Sequence, residues 1–362
     1  MRIGIIGAGQ LGQMLGFAAA ELDTECRFVD PSDAPPASQA GTVIQSPFDD
    51  AQALAALARD CDVVTYEFEN VPVDALLPLC DQVPVYPPPE ALRHAQDRLT
   101  EKRLFDSLGI PLPGYRKIDS EEDLRDAAAT IGLPLVVKTR RFGYDGKGQA
   151  VVRSEDDIHP AWQALCGSPL IAEAWVDFDY EVSAIGARNP RGETVIYPLT
   201  RNDHSDGILR QSRAPAEATG LEQIAQQYMQ ALLDHLDYVG VLALELFVCG
   251  DRLLANEFAP RVHNSGHWTI EGAETSQFAN HILAVSGRPL GATACTGHAG
   301  MINLIGTIPD AARALRYDNC WLHDYGKDPR PGRKLGHVTV LAESATLRDE
   351  RMTAIAGAFE EL

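Results

Sequence analysis

Short apolar runs at Arg2–Ile6, Cys26–Asp30 and Val63–Tyr66 alternate with stretches of helical period from about Gln10 to Leu22 and from Asp49 to Arg59. Strands that alternate in this way with amphipathic helices predict βαβ units and a parallel sheet. The run VPVYPPPE, Val83 to Glu90, can continue neither a helix nor a central strand, so a first α/β domain is expected over residues 1–90. Asp97 to Leu108 then reads as a helix with charged outer positions. From Leu133 to about Phe258 the pattern changes to longer β-rich segments, PLVVKTR, GQAVVRS, PLIAEAWV, YEVSAIGAR, ETVIYPLT, GVLALELFV and DRLLANEFA, with a helix expected from about Glu217 to Leu236. This is the pattern of an α+β domain, placed at 91–295. The remainder, 296–362, carries strands at GMINLIG and GHVTVLA around the loop KDPRPGRKLG and is expected to form a small third domain.

Composition narrows the partners. A chain of 362 residues with 45% hydrophobic content can bury two or three cores. Its 31 Lys and Arg against 51 Asp and Glu give a net charge of -20, which opposes attraction to nucleic acid or to an anionic membrane. Any phosphate-bearing ligand must therefore be held by local basic clusters. The opening MRIGIIGAGQLG lacks the charged and long apolar regions of a signal peptide, and no run approaches a membrane span. Seven scattered cysteines without a C-x-x-C pair fit reduced thiols, and a cytoplasmic location is expected.

Three segments carry candidate chemistry. Gly7, Gly9 and Gly12 have G-x-G-x-x-G spacing between a strand and a helix, with Asp30 ending the next strand. That is a dinucleotide fingerprint, although the same backbone would serve any phosphate, and no second dinucleotide half follows. In VVKTRRFGYDGKGQ, Lys138 ends an apolar strand ahead of a loop with Gly143, Gly146 and Gly148 beside Lys147, offering a triphosphate both cations and approachable backbone donors. Glu245 and Glu257 lie in two apolar strands joined by CGDR, a hairpin that can bring both carboxylates to one face with Asn256 beside them. Ionised carboxylates in such strands require cations or strong donors, and magnesium bridging phosphates is the economical partner. The following loop holds Arg261, His263, Asn264, Ser265 and His267. His263 and His267 have the i,i+4 spacing of a zinc pair, but the polar residues between them favour an anion-binding loop.

Taken in order, Lys138, GYDGKGQ, Glu173, Glu181, Glu245 and NEFAPRVHNSGHWT resemble an ATP-grasp enzyme. With GQLG, YPLTRNDHSDGILR and RPGRKLGH they resemble the 5-(carboxyamino)imidazole ribonucleotide synthases of that superfamily, over nearly the whole chain. The resemblance implies three domains, with ATP between two lobes of the central one. It implies nucleotide contacts from Arg98, Lys138, Gly143, Tyr144, Asp145, Gly146, Lys147, Gly148, Gln149, Glu173, Ala174, Trp175, Val176, Glu181, His204, Asn256 and Glu257, and magnesium ligands at Glu245 and Glu257. Arg261, His263 and Asn264 match positions around bicarbonate and carboxyphosphate, and these three with Lys327 are the catalytic residues the resemblance implies. Gly9, Gln10, Leu11, Glu67, Tyr144, Asp145, Lys327, Arg333 and Lys334 match positions near the ribonucleotide; Glu69 is the alternative to Glu67. Residues Gly143 to Gly148 are the expected lid. Phe142 stands where the pattern leads one to expect glycine.

The activity so implied is ATP- and bicarbonate-dependent carboxylation of the exocyclic amine of aminoimidazole ribonucleotide in a homodimeric enzyme. Another ATP-grasp ligase of purine metabolism, an NAD-dependent dehydrogenase resting on the first glycine motif, and a dead nucleotide-binding module are the competing readings.

Overall fold

The computed structural model describes residues 1–143, 148–218, 220–308 and 317–360. Its first unit is a parallel sheet of β1 (Arg2–Ile6), β2 (Glu25–Asp30), β3 (Thr42–Gln45) and β4 (Val63–Tyr66), in the order β3-β2-β1-β4. The inner strands β1 and β4 read as near-continuous apolar runs because both faces of the sheet are covered there. Ile3, Ile5 and Phe28 pack with Leu11 and Leu15 of helix Gln10–Glu21, while Ile6, Val29 and Val64 meet Leu54, Leu57 and Leu76 from the helices on the other face. Strand order reverses at β1, so the glycine loop at its C-terminal end lies where ligands approach such sheets.

The proline-rich run does not leave the first unit as a free linker. Val64 N–H donates to the Pro84 carbonyl and Tyr86 N–H to the Val64 carbonyl, docking the run beside β4. Pro89 then opens helix Pro89–Ala95, since a first-turn residue needs no N–H bond. Helix Arg98–Ser107 follows, capped by Asp97, whose carboxylate accepts from Leu99 N–H.

A small antiparallel sheet, in the order β5-β8-β6-β7, comprises β5 (Tyr115–Ile118), β6 (Leu135–Thr139), β7 (Gln149–Val152) and β8 (Leu170–Ala174). Helices Glu121–Ile131 and Ile158–Leu165 bury its apolar face. The remaining strands form one nine-stranded sheet: β9 (Tyr180–Arg188), β10 (Thr194–Ile196), β11 (Thr200–Ser205), β12 (Ile208–Ala214), β13 (Gly240–Cys249), β14 (Arg252–Ala259), β15 (His298–Ile305), β16 (Cys320–Asp324) and β17 (Lys334–Ala342). Its path runs β14-β13-β9-β11-β12-β15-β17-β16, with β10 beside β9. The strands after residue 295 thus extend the central sheet through the β12–β15 pairing, where Gln211 faces Ile302 and Ala214 faces Ala299.

Hydrophobic pattern alone missed the β11–β12 hairpin, β16 and the final helix Ala345–Glu360. The hairpin had a local signal: Asp206-Gly207 forms its two-residue turn, with φ of 54° and 74°, the left-handed pair that twists a hairpin correctly. The helix expected from Glu217 begins at Glu222.

One wholly buried side chain ties the first unit to the large sheet. His281, on helix Gln277–Val285, accepts Val241 N–H at Nδ1 (3.1 Å), which leaves its proton on Nε2, 2.9 Å from Thr65 Oγ1. Burial keeps the imidazole neutral and pushes its pKa down to about 3. Replacing it by leucine strands a buried N–H and a hydroxyl, so His281→Leu is expected to lose about 2–4 kcal/mol in urea unfolding at pH 7. Unfolded histidine takes up its proton near pH 6.5, whereas the native ring refuses it. The contribution of His281 is therefore complete above about pH 6.5 and is lost as pH falls toward 3. The difference in unfolding midpoint between wild type and His281→Leu should accordingly shrink as pH is lowered through that window.

Candidate active site

The first glycine motif turns out to hold an anion of the protein's own. Glu67, just beyond β4, lies beneath the loop after β1, and Gly9 N–H donates to its Oε1 at 2.9 Å. A Cβ on Gly7 would lie 2.6 Å from Glu67 Cγ, and one on Gly9 2.9 Å from Glu67 Oε1, so the glycines make room for a carboxylate. Asp30 is equally committed: Oδ2 accepts from Ala8 N–H and Oδ1 from Ser32 N–H, both at 2.9 Å. Both Asp30 oxygens are thus already engaged by backbone N–H groups of the glycine loop and of the segment after β2. Burial pushes the Glu67 carboxyl up, against the pull of the Gly9 N–H and of Arg261. Leu11 is buried in the core, which leaves Gln10 as the side chain at this helix start that reaches the site.

A second group forms where helix Arg98–Ser107 crosses β14. Spacing of three and four residues puts Arg98, Glu101 and Lys102 on one helix face. Arg98 Nη1 donates to Glu257 Oε2 at 2.9 Å, and Phe258 N–H donates to Glu101 Oε1 at 2.8 Å. Lys102, with no exposed side-chain surface, donates to the Asn256 carbonyl and lies 3.8 Å from Glu173 Oε2. The same Glu173 oxygen accepts from Lys138 Nζ at 2.9 Å. Burial alone would raise the Glu173 carboxyl; Lys102, Lys138 and Arg98 together hold it down at about 2. Burial likewise opposes ionised Glu257, and Arg98 with Lys138 and Lys102 outweighs it. Glu101 is pushed up to about 8 by burial, despite Lys102.

Glu245 and Glu257 face one another in the β13–β14 ladder, and the next paired residues are Leu246 and Ala255. Asn256 is thus the extra residue of a β-bulge, which re-aims the strand at the site. Burial and the charge of Glu257 both push the Glu245 carboxyl up. Two facing carboxylates, one of them unable to ionise comfortably, suit a hard divalent cation that completes its shell with phosphate oxygens and water. Among the described residues no group of three or more His, Cys, Asp or Glu side chains is poised around one ion. His263 and His267 do not form a zinc pair: His263 Nε2 lies 3.2 Å from Glu245 Oε1, whereas His267 is buried beside Gln277. Ser265 N–H points at His263 Nδ1 and burial drives the ring's pKa down, so His263 meets Glu245 as a neutral imidazole.

Around this pair the expected residues fall into distinct places. Glu181 and His204 form an ion pair across β9 and β11, and Glu181 outweighs burial to raise the His204 pKa. Ala174 and Trp175 spend their N–H groups on the Gly114 and Pro134 carbonyls at 2.7 and 3.2 Å, and Val176 follows in the segment joining the small sheet to the large one. Arg261 Nη2 pairs with Glu69 at 2.8 Å, which separates the two glutamates: Glu69 partners Arg261, and Glu67 fills the glycine loop. Asn264 has its amide paired reciprocally with Asn303. Lys327 donates to Gln10 Oε1, linking the late basic loop to the first helix. Burial pushes its pKa down to about 8, with Arg333 acting the same way and Glu67 against. Lys334 diverges from Lys327 and Arg333: its charge is felt by Glu245, His263 and His204 as well. Gly143 accepts from Arg98 Nη2 at 3.4 Å; Gly148 has φ of 70°; Gln149 pairs with Lys138. Tyr144, Asp145, Gly146 and Lys147 lie outside the described residues. Phe142, 71% exposed, adopts φ of 62°, the left-handed backbone for which glycine is the natural residue.

Comparison with known proteins covers each unit. Residues 1–96 match the ribonucleotide synthetase preATP-grasp domain, 103–278 the ATP-grasp domain, and 299–351 the phosphoribosylaminoimidazole carboxylase C-terminal domain. An N5-carboxyaminoimidazole ribonucleotide synthase of Pseudomonas aeruginosa is 48% identical over 349 residues, covering 96% of this chain and 97% of the relative. The chain belongs to the N5-carboxyaminoimidazole ribonucleotide synthase family. The Bacillus subtilis synthase is 40% identical, over 94% of this chain and 91% of its own. The crystal structure of the Thermus thermophilus synthetase superposes with a TM-score of 0.95 at 48% identity, covering 98% of each chain. An Aspergillus clavatus synthase in complex with ADP and 5-aminoimidazole ribonucleotide gives 0.92 at 31% identity, covering 100% of this chain and 99% of that one. The enzyme is an ATP-grasp ligase that carboxylates 5-aminoimidazole ribonucleotide in purine biosynthesis.

Sequence reasoning missed Glu101 and Lys102, and the signal was there: charged residues at helical spacing on the inward face of an amphipathic helix. Removing the Lys102 ammonium takes away a cation that keeps Glu173 ionised and a donor to the strand bearing Glu257. Lys102→Met is expected to raise the Michaelis constant for ATP about tenfold, the worth of one charge-assisted bond. Steady-state kinetics should show the ribonucleotide constant unchanged within about twofold.

Proposed function

We propose that the face carrying Glu245 and Glu257 binds magnesium and the ATP phosphates, that Arg261, His263 and Asn264 hold bicarbonate, and that Lys327 and Arg333 hold the phosphate of the ribonucleotide. The observation that carries this reading is the register-paired Glu245 and Glu257, with Arg98 bonded to Glu257 and His263 Nε2 3.2 Å from Glu245 Oε1. Magnesium, when bound, neutralises charge on the phosphate oxygens and orients the γ-phosphoryl group. Lys138, Arg98 and Lys102 supply fixed positive charge, and phosphoryl transfer needs little beyond positioning and such charge.

In this reading a bicarbonate oxygen attacks the γ-phosphorus and ADP departs, giving carboxyphosphate. The exocyclic amine then forms its C–N bond at the carboxyl carbon, losing a proton as phosphate leaves. Neutral His263 accepts no net charge at rest, so the cation beside the carboxylate-bearing anion is Arg261, fixed by Glu69. Gln10 and Lys327 bring the first helix and the late loop to the ribonucleotide side. The nucleotide contacts assigned to Ala174, Trp175, Val176, Glu181, His204, Asn256, Gly143, Gly148 and Gln149, together with the residues 144–147, belong to the same proposal, as do a lid over 143–148, a homodimer and a cytoplasmic location. Among the described residues no helix is long and apolar enough to cross a membrane.

Formation of ADP and of carboxylated ribonucleotide, with ATP, bicarbonate or aminoimidazole ribonucleotide omitted in turn, tests the reaction. Glu257→Gln should lower turnover by at least about a hundredfold with an unchanged circular dichroism spectrum, because it removes charge from the cation site while keeping shape. Ordinary turnover in that variant would remove Glu257 from the site.

Lys327→Ala should raise the ribonucleotide Michaelis constant by about ten- to a hundredfold at saturating ATP, the loss of a charge-assisted contact. Lys327 is charged below its pKa of about 8, so kcat/KM for the ribonucleotide should fall as pH rises through that value. Lys327→Arg should move that fall to higher pH; an unmoved profile would assign the titration to another group.

A further inference from the structure

β15, β17 and β16 lie side by side, and their register sets Asn303 opposite His337 and His337 opposite His323. Directly opposed residues of antiparallel strands project to the same face, so these side chains form one polar row across the sheet. Their neighbours Ile302, Val338 and Leu322 point the other way, into the apolar cluster under helix Ala345–Glu360. Asn303 is 7% exposed and His337 wholly buried. Burying such groups is costly unless their bonds are worth making.

Asn303 and His337 are bonded toward different pieces of the proposed site, and His323 braces the row. Asn303 Nδ2 donates to the Leu209 carbonyl at 2.9 Å and to Asn264 Oδ1 at 2.7 Å, while its Oδ1 accepts from Asn264 Nδ2 at 3.0 Å. The Leu209 carbonyl fixes which end of the Asn303 amide carries the protons, and the reciprocal pair then fixes Asn264. His337 Nδ1 lies 2.7 Å from the Tyr325 hydroxyl. Tyr325 closes the base of the loop that bears Lys327: its N–H donates to the Leu335 carbonyl at 2.9 Å, and the Lys327 ammonium stands 5.8 Å from its ring centre. The His323 ring stacks on His337 at 4.3 Å with planes 10° apart, and Glu271 Oε1 holds His323 Nε2 at 2.8 Å. His337 is therefore braced by packing as well as by its bond to tyrosine.

We propose that Asn303 and His337 are positioning residues, a pair fixed by strand register that sets the spacing between Asn264 on the anion side and Lys327 on the ribonucleotide side. A β-ladder is a stiff ruler, with facing Cα atoms about 4.5–5.5 Å apart. Attaching one half of the site to each of two adjacent strands keeps the amine in reach of the activated carboxyl group, in competition with water. The inference rests on the assignment of Asn264 and Lys327 made above.

Tyr325→Phe removes one hydroxyl and keeps the buried ring; Asn303→Leu keeps approximate shape and removes the amide. Tyr325→Phe is expected to raise the Michaelis constant for aminoimidazole ribonucleotide by about five- to tenfold, the worth of a neutral hydrogen bond, with kcat and the ATP constant within about twofold. Asn303→Leu is expected to raise the ADP released per carboxylated product from about one to about two or more, a ratio that loss of stability alone does not move. If thermal unfolding shows that Asn303→Leu does not fold, Asn303→Asp, which keeps the shape and removes the donors, takes its place with the same expected ratio. Either folded variant behaving as wild type overturns the proposal. Lys327→Ala measured alongside separates two failures: a raised ribonucleotide constant there, with Tyr325→Phe unchanged, overturns the row and leaves the loop assignment standing. An unchanged constant in both overturns both.

Discussion

The structure is organised around buried carboxylates that cannot stand alone. Glu173, Glu245 and Glu257 sit on strands of two different sheets, and each would be driven toward protonation by burial. Helix Arg98–Ser107 answers them by threading Arg98 and Lys102 between the sheets, while Lys138 does so from β6. Removing one member of such a network leaves an uncompensated charge, so the small sheet, the helix and the large sheet are bound into one arrangement. The residual imbalance lies at Glu245, whose carboxyl burial and Glu257 push up, and the proposed function sets a cation against it.

The same principle works in reverse at the first glycine loop. Its sequence advertises an anion site, and the fold fills that site with Glu67. A motif of glycines reports that something must come close to the backbone; it does not report whether that is a ligand phosphate or the chain's own carboxylate. Here the internal anion fixes the start of helix Gln10–Glu21, so that Gln10 meets Lys327 from the far end of the chain.

The large sheet gives the site its dimensions. Its strands run without interruption from the hairpin of Glu245 and Glu257 to the edge strand β16, crossing the boundary that composition alone places near residue 295. Asn264 and Tyr325, both outside the strands, are hydrogen-bonded to side chains that the ladder fixes, Asn303 on β15 and His337 on β17.

Local pattern in the sequence determined the parallel first sheet, most central strands, the paired glutamates and the ordered motifs of the family, because strand period, turn chemistry and motif order are written in neighbouring residues. It did not determine which carboxylate partners Arg261, that Asp30 and the glycine loop are occupied from within, that Lys102 is buried among carboxylates, or that Asn303 stands beside His337. Those depended on pairing between segments far apart in the chain, and on burial, which sets the charge a side chain can carry. Neither quantity exists until the sheets have formed and packed, and so only the tertiary structure decided them.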